Sequence, residues 1–268
     1  MERDYVLGTH EDELQRLGLQ HYIWRPHALK CWNEVGITQG SKVLDIGAGP
    51  GYATADLADI VGASGAVVGI ERSSNYLEHL REKLAHKPNV RSYEMDIMKD
   101  DIPEGDFDFS WCRWVNSFLP DPSVLVRKNY DALKKGGKAI FHEYIHYETW
   151  QFVPPSQPQQ EFIKEVIKNW RETGSETNVA KTLTQLLVNQ GFELEATRPL
   201  VFVIRPHDFM WQWPLSFVEI NLAHQLELGR IEKSWADSVM QAFESYTKDP
   251  NSVMITPMML EIVAVKTS

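Results

Sequence analysis

Residues 43–57, VLDIGAGPGYATADL, constrain this chain more than any other stretch. An apolar run breaks into three alternating glycines, Gly47, Gly49 and Gly51, and then resumes at helical spacing. That pattern is a strand running into a helix. In an open parallel sheet, ligands bind beyond the carboxyl ends of the strands. Glycines there let the backbone approach a ligand and turn into the next helix. Taken alone, the stretch admits a dinucleotide, a nucleoside or no ligand.

The surrounding rhythm fixes the fold class. From residue 41 onward, strand-like and helix-like segments alternate, the mark of an α/β sheet. Strands are predicted at 43–46, 66–71, 90–96, 107–114 and 138–144. Between them lie a helix carrying Ala53, Leu57, Ile60 and Val61, one carrying Leu77, Leu80 and Leu84, and one over 122–137. After residue 145 the rhythm changes. VPPSQP (153–158) breaks the pattern, helices follow at 159–172 and 179–190, and more helix is expected over 208–246. Strand-like runs stand at 192–205 and 259–266.

Composition narrows the class further. An apolar fraction of 43% and a charged fraction of 24% are those of an ordinary globular protein. No run of about 18 apolar residues occurs, so no membrane span is expected. The amino terminus lacks the apolar stretch of a signal peptide. Cys31 and Cys112 stand in no metal-type spacing, so no metal site is expected and a reducing cytoplasm is the predicted compartment. A net charge of −10 argues against nucleic acid as a partner, since phosphate binding needs clustered Lys and Arg.

Three acids then select among ligands. Position 52, where a dinucleotide loop would place its third glycine, is Tyr52, which argues against an NAD site. Asp45 stands two residues before the loop, Glu71 ends the second strand and Asp96 ends the third. A carboxylate at Glu71 can accept both hydroxyls of a ribose. One at Asp96 can accept from an exocyclic amine, with the Ile97 amide facing a ring nitrogen. Acids after three successive strands place one nucleoside along the sheet edge.

This constellation resembles the class I S-adenosylmethionine-dependent methyltransferases, in the style of the menaquinone/ubiquinone-type small-molecule enzymes. The matching residues are VLDIGAGPG (43–51), GIERS (69–73), MDI (95–97), FDFSWCRWVNSFLPDP (107–122) and LKKGGKAIFHEY (133–144). The resemblance implies a Rossmann-like seven-stranded, mostly parallel sheet with an antiparallel last strand, flanking helices and a helical cap, and S-adenosylmethionine as cofactor. It implies one domain: a helical lid (1–40), a cofactor-binding core (41–145), cap insertions (146–178 and 206–257) and closing strands (192–205 and 258–266). Asp45, Gly47 and Gly49 then surround the methionine part, Glu71 holds the ribose, and Asp96 and Ile97 the adenine, with Ala48 and Arg72 also among the cofactor contacts. The Cys112 carbonyl takes the amino group, and Arg113 the cofactor carboxylate, an anionic substrate or a nearby acid.

Methyl transfer is an in-line displacement in which positioning supplies most of the acceleration. The acceptor wall is therefore sought just past strands four and five. The Asn/Asp-Pro-Pro-aromatic motif of nucleic-acid amine methyltransferases is absent after strand four; WCRWVNSF stands there instead. Trp111 and Trp114 are expected on opposite faces of a regular strand. His142, Glu143 and Tyr144, after strand five, are the candidates for a general base or an acceptor partner. Tyr22, Trp24 and Arg25 of the lid, with Trp114, Glu143 and Trp211, complete the expected contacts to a small-molecule acceptor. Two other readings stay open: an NAD-dependent oxidoreductase, and a non-catalytic relative that only binds S-adenosylmethionine.

Overall fold

The computed structural model describes residues 11–267. The elements run α1 (Glu11–Val35), β1 (Lys42–Ile46), α2 (Tyr52–Val61), β2 (Ala66–Glu71), α3 (Ser74–Leu84), β3 (Val90–Glu94) and β4 (Phe107–Arg113). Then come α4 (Pro122–Ala132), β5 (Leu133–His146), β6 (Gln151–Val153), α5 (Gln157–Glu172) and α6 (Ala180–Gln190). The chain closes through β7 (Phe192–Leu200), β8 (Val203–Ile204), α7 (Gln212–Glu227), α8 (Lys233–Lys248), β9 (Val253–Ile255) and β10 (Met258–Lys266). Residues 1–10 of the expected lid lie outside the described residues.

The chain divides into two compact units. The larger comprises His27–Ile145, Trp170–Leu200 and the chain from Met259. Its seven strands form one sheet in the order β3-β2-β1-β4-β5-β10-β7. β1 pairs in parallel with β2 and β4, β2 with β3, and β4 with β5, whereas β10 runs antiparallel to β7. The expected mostly parallel sheet with a reversed closing strand is what forms.

Strand alternation sorts the sheet's side chains into two apolar layers. Val43, Val67, Trp111, Ile140 and Val263 pack with Trp32 and Val35 of α1 and Leu57 and Val61 of α2. Leu44, Val68, Cys112 and Phe141 point the other way, to Leu125 and Val126 of α4 and Leu183 and Leu187 of α6. Each large apolar side chain buried this way contributes about 1.5–3 kcal/mol. Local signals set the helix starts: the Ser73 hydroxyl accepts from the Tyr76 amide, and Asp121 caps α4 with Pro122 in its first turn.

Two boundaries depart from the periodicity. α4 stops at Ala132, and LKKGGK opens β5 instead of ending a helix; Leu133 pairs there with Phe107 across the sheet. The run 192–205 splits into two strands in different sheets, with β7 at the edge of the large sheet, the place where a strand proline such as Pro199 is tolerated.

The smaller unit holds the chain up to Pro26, His146–Asn169 and Val201–Met258. Its three-stranded sheet, β6-β9-β8, has three residues or fewer in each strand, too few for alternation to be read. Phe152 is its aromatic centre, stacked on Tyr246 at 4.0 Å and edge-on to Phe243 at 4.8 Å. Glu13 and Arg16 form a buried two-pronged pair, both contacts at 2.7 Å. Among the described residues no helix is long and apolar enough to cross a membrane.

Candidate active site

The glycine loop joins β1 to α2 and leans on the end of β2. Gly47 and Ala48 donate their amides to the Ile70 carbonyl at 2.9 and 3.0 Å. Gly47 has φ +68°, and a Cβ there would overlap Val115 Cγ2, so any side chain is excluded twice. Gly49 (φ +54°) has open space where its Cβ would stand, so only its backbone conformation demands glycine. Its amide donates to Glu71 Oε2 at 2.9 Å.

Glu71 thereby ties two strand ends together, because its other oxygen accepts the Ser73 amide at 2.8 Å. Burial raises its pKa, and the amides oppose that rise. Asp45 is fully enclosed, with Oδ2 accepting from Thr54 Oγ1 at 2.6 Å. Burial pushes its pKa up to about 6, against the Thr54 hydrogen bond and the Arg113 charge. Asp96 lies half-buried past β3: Oδ1 accepts the Met98 amide at 3.0 Å and Oδ2 pairs with Lys99 at 3.1 Å. Partial burial works against its charge, yet those two partners win and hold the carboxyl below its ordinary range. Ile97 is buried beside it, Ala48 is buried under the loop and Arg72 is exposed.

β4 delivers the next residues. Cys112 is fully buried at the level of Ile46 and Phe141, its sulfur accepting from Asn116 Nδ2 at 3.5 Å. Arg113 is half-buried, and desolvation lowers its pKa to about 10 against the pull of Asp45, Asp56 and Tyr144. Its guanidinium lies 5.0 Å from the Trp114 ring centre and 5.8 Å from that of Trp111. The two tryptophans therefore flank one arginine, contrary to the opposite faces expected of a regular strand. The cause is Trp114 itself: β4 ends at Arg113, and Trp114 adopts φ +55°, a strained conformation that breaks the alternation. Trp114 donates its amide to the His142 carbonyl at 3.0 Å and stacks its ring on Tyr144 at 5.9 Å.

β5 splits the three acceptor candidates by parity. His142 shares a face with Arg113 and sits edge-on to Trp111 at 4.7 Å. Its Nε2 meets Glu261 Oε2 at 2.9 Å, and desolvation lowers its pKa. Glu261 also pairs with Arg198, which in turn holds Glu34. Cys31, His142 and Glu261 bring three ligand-type atoms within 4.8 Å of one another, in a cluster already closed by the Arg198 pair. Glu143 points to the other face, where Oε1 accepts from the Val115 amide at 2.9 Å, the Asn116 amide at 2.8 Å and Asn116 Nδ2 at 3.1 Å. Burial pushes its pKa up to about 7.

Asp45, the glycine loop, Glu71, Arg113, Trp114, His142 and Tyr144 thus all belong to the larger unit. Tyr22, Trp24, Arg25 and Trp211 belong to the smaller one. Trp24 is buried edge-on to Trp213 at 4.8 Å, and Trp211 is buried with its Nε1 donating to Thr247 Oγ1 at 3.0 Å. Tyr22 and Arg25 are exposed, Tyr22 edge-on to Phe209 at 5.5 Å. Thr54, Asp56, Val115 and Asn116 joined the site unforeseen, since a single residue inside a helix or turn carries no periodic signal.

Known proteins match the same stretch. Residues 43–137 match the family model described as a methyltransferase domain. Demethylmenaquinone methyltransferase of Staphylococcus aureus is 33% identical over 121 residues, 45% of this chain and 49% of that protein. The match thus spans about half the length of that relative. The structure of phosphoethanolamine N-methyltransferase 2 of Haemonchus contortus, in complex with S-adenosyl-L-methionine, superposes with a TM-score of 0.58 at 17% identity, over 94% of this chain and 57% of that one. Geranyl diphosphate C-methyltransferase of Streptomyces coelicolor superposes with a TM-score of 0.58 at 13% identity, over 96% and 86%. At those identities the likeness is one of fold. The sheet order with its reversed strand, together with the match over the glycine loop and its acids, gives residues 43–137 the likeness of a methyltransferase domain on a Rossmann-like sheet.

Proposed function

We propose that this chain is an S-adenosylmethionine-dependent methyltransferase acting on a small-molecule acceptor. The observation that carries the reading is the Glu71 carboxylate, bonded to Gly49 of the glycine loop and to Ser73. The Gly49, Ser73 and Arg72 amides engage three of about four lone-pair sites, which keeps one for a ribose hydroxyl on the open side of the loop. The Gly49 side of the loop is open, so the residues present fit a nucleoside. Glu71 holds the ribose, Asp96 and the Ile97 amide the adenine, and Asp45 with the backbone of Gly47 to Gly49 the methionine end.

When bound, S-adenosylmethionine supplies a methyl group made electrophilic by its sulfonium. The chain's own residues orient it and exclude water. Holding two reactants in line can be worth effective molarities of about 10⁵–10⁸ M. Arg113, Trp114 and Tyr144 form the acceptor side, with one cation between two indole rings. His142 lies on the same sheet face but is fully buried, its ring against Trp111 and its Nε2 on Glu261, so it backs this wall and does not itself meet an acceptor. Demethylmenaquinone, on which the S. aureus relative is named as acting, is the first acceptor to assay.

Thermal shift separates this reading from the oxidoreductase alternative. S-adenosylhomocysteine at saturating concentration raises the melting temperature, and NADH leaves it unchanged. Stabilisation by NADH with none by S-adenosylhomocysteine would sink the proposal. Transfer of a labelled methyl group to an acceptor panel then separates an enzyme from a relative that only binds.

A further inference from the structure

Glu143 is fully enclosed, yet it does not share the sheet face of Asp45 and Arg113. One of its oxygens, Oε1, collects two backbone amides and one side-chain amide from residues 115 and 116. The other oxygen, Oε2, has no hydrogen-bond partner among the described residues, although the Ser117 amide also favours the carboxylate's charge. The turn it holds is clamped from a second direction, because the Ser117 carbonyl accepts the Glu176 amide at 3.0 Å. Val115, in the same turn, fills the space that a side chain at Gly47 would need.

We propose that Glu143 is a positioning residue for the cofactor site: through its reach to the Val115 and Asn116 amides it sets the turn that closes onto Gly47. This deepens the methyltransferase reading and rests on it. The residue acts through Val115 on the glycine loop and does not touch the reacting atoms. Its carboxylate is used as a ruler, so the distance from backbone to oxygen matters and the negative charge does not. A neutral carbonyl-type oxygen at the same reach accepts the same three donors. The high pKa that burial imposes on the group is in keeping with a role that needs no charge.

Two variants separate reach from charge. Glu143→Gln keeps the reach and loses the charge; Glu143→Asp keeps the charge and is one methylene shorter. S-adenosylhomocysteine affinity is measured by calorimetry on the full chain, below the melting point of every variant. Hydrogen exchange of residues 115–117 is followed in the same samples without ligand. Glu143→Gln is expected to bind within about threefold of wild type, and Glu143→Asp to lose about tenfold or more. Exchange at 115–117 should rise in Glu143→Asp alone.

The reverse order, with Gln losing affinity and Asp retaining it, overturns the proposal in favour of a charge-based role. Equal binding and equal exchange in all three proteins overturns it in favour of simple core filling. A wild-type chain that binds no S-adenosylhomocysteine defeats the methyltransferase reading and this inference together. A wild type that binds alongside unaffected variants defeats the inference alone.

Discussion

The Gly49 amide donates to Glu71 Oε2 across 2.9 Å, joining the loop that follows β1 to the acid that ends β2. The bond orders the loop and leaves part of the same carboxylate open to a ligand, so loop geometry and ligand recognition share one residue. Replacing Glu71 with Ala removes both. Calorimetry should show affinity for S-adenosylhomocysteine weakened by about 1–3 kcal/mol, a buried charged acceptor having been lost. An unchanged dissociation constant means another carboxylate holds the ribose.

Gly47→Ala forces a Cβ into Val115 Cγ2 and a left-handed backbone onto an L-residue. The backbone part alone costs about 1–2 kcal/mol, and the overlap adds to it. Val115→Ala removes the overlapping methyl. The double variant should therefore melt above Gly47→Ala by more than additivity of the two single changes allows. Strict additivity would show that the two residues do not meet.

Glu143 links stability to pH. Its folded pKa, about 7, lies above the ordinary 4.5. Below pH 4.5 both states are protonated and burial carries no ionic cost. Between 4.5 and 7 the unfolded chain ionises first, so stability is lost as pH rises, the loss levelling off at about 3 kcal/mol above 7. Glu143→Gln removes that dependence. Its melting temperature relative to wild type should climb by several degrees between pH 5 and pH 8. A constant difference across that range contradicts a raised pKa at this position.

Glu261 is shared by His142 and Arg198 at the seam between β5, β10 and β7. Glu261→Ala leaves a buried imidazole without its acceptor, while half-exposed Arg198 keeps Glu34, and unfolding by denaturant should show a loss of about 1–3 kcal/mol. A loss under 1 kcal/mol would mean that solvent takes over the role of the carboxylate.

Much of this arrangement was legible from residue order, for reasons that can be named. β1, β2 and β4 are short apolar runs bounded by turns, and Asp45 and Glu71 stand out because each interrupts or ends such a run. Other features were not legible. Cys31, His142, Arg198 and Glu261 meet from four distant parts of the chain, and no local pattern pairs them. The positive φ of Trp114 brings its ring to the same arginine as Trp111, which strand periodicity alone places on the opposite face. Glu143 read as one of three equivalent candidates near the end of β5; its place on the opposite face and its bonds to Val115 and Asn116 separate it from His142 and Tyr144.

The most direct test of the central claim is a crystal structure of this chain with S-adenosylhomocysteine bound. The account predicts a ribose hydroxyl within hydrogen-bond distance of the Glu71 carboxylate, the adenine beside Asp96 and Ile97, and the sulfur on the side of the loop nearest Arg113. A ribose bound away from Glu71, or a ligand lodged against another strand end, would contradict it.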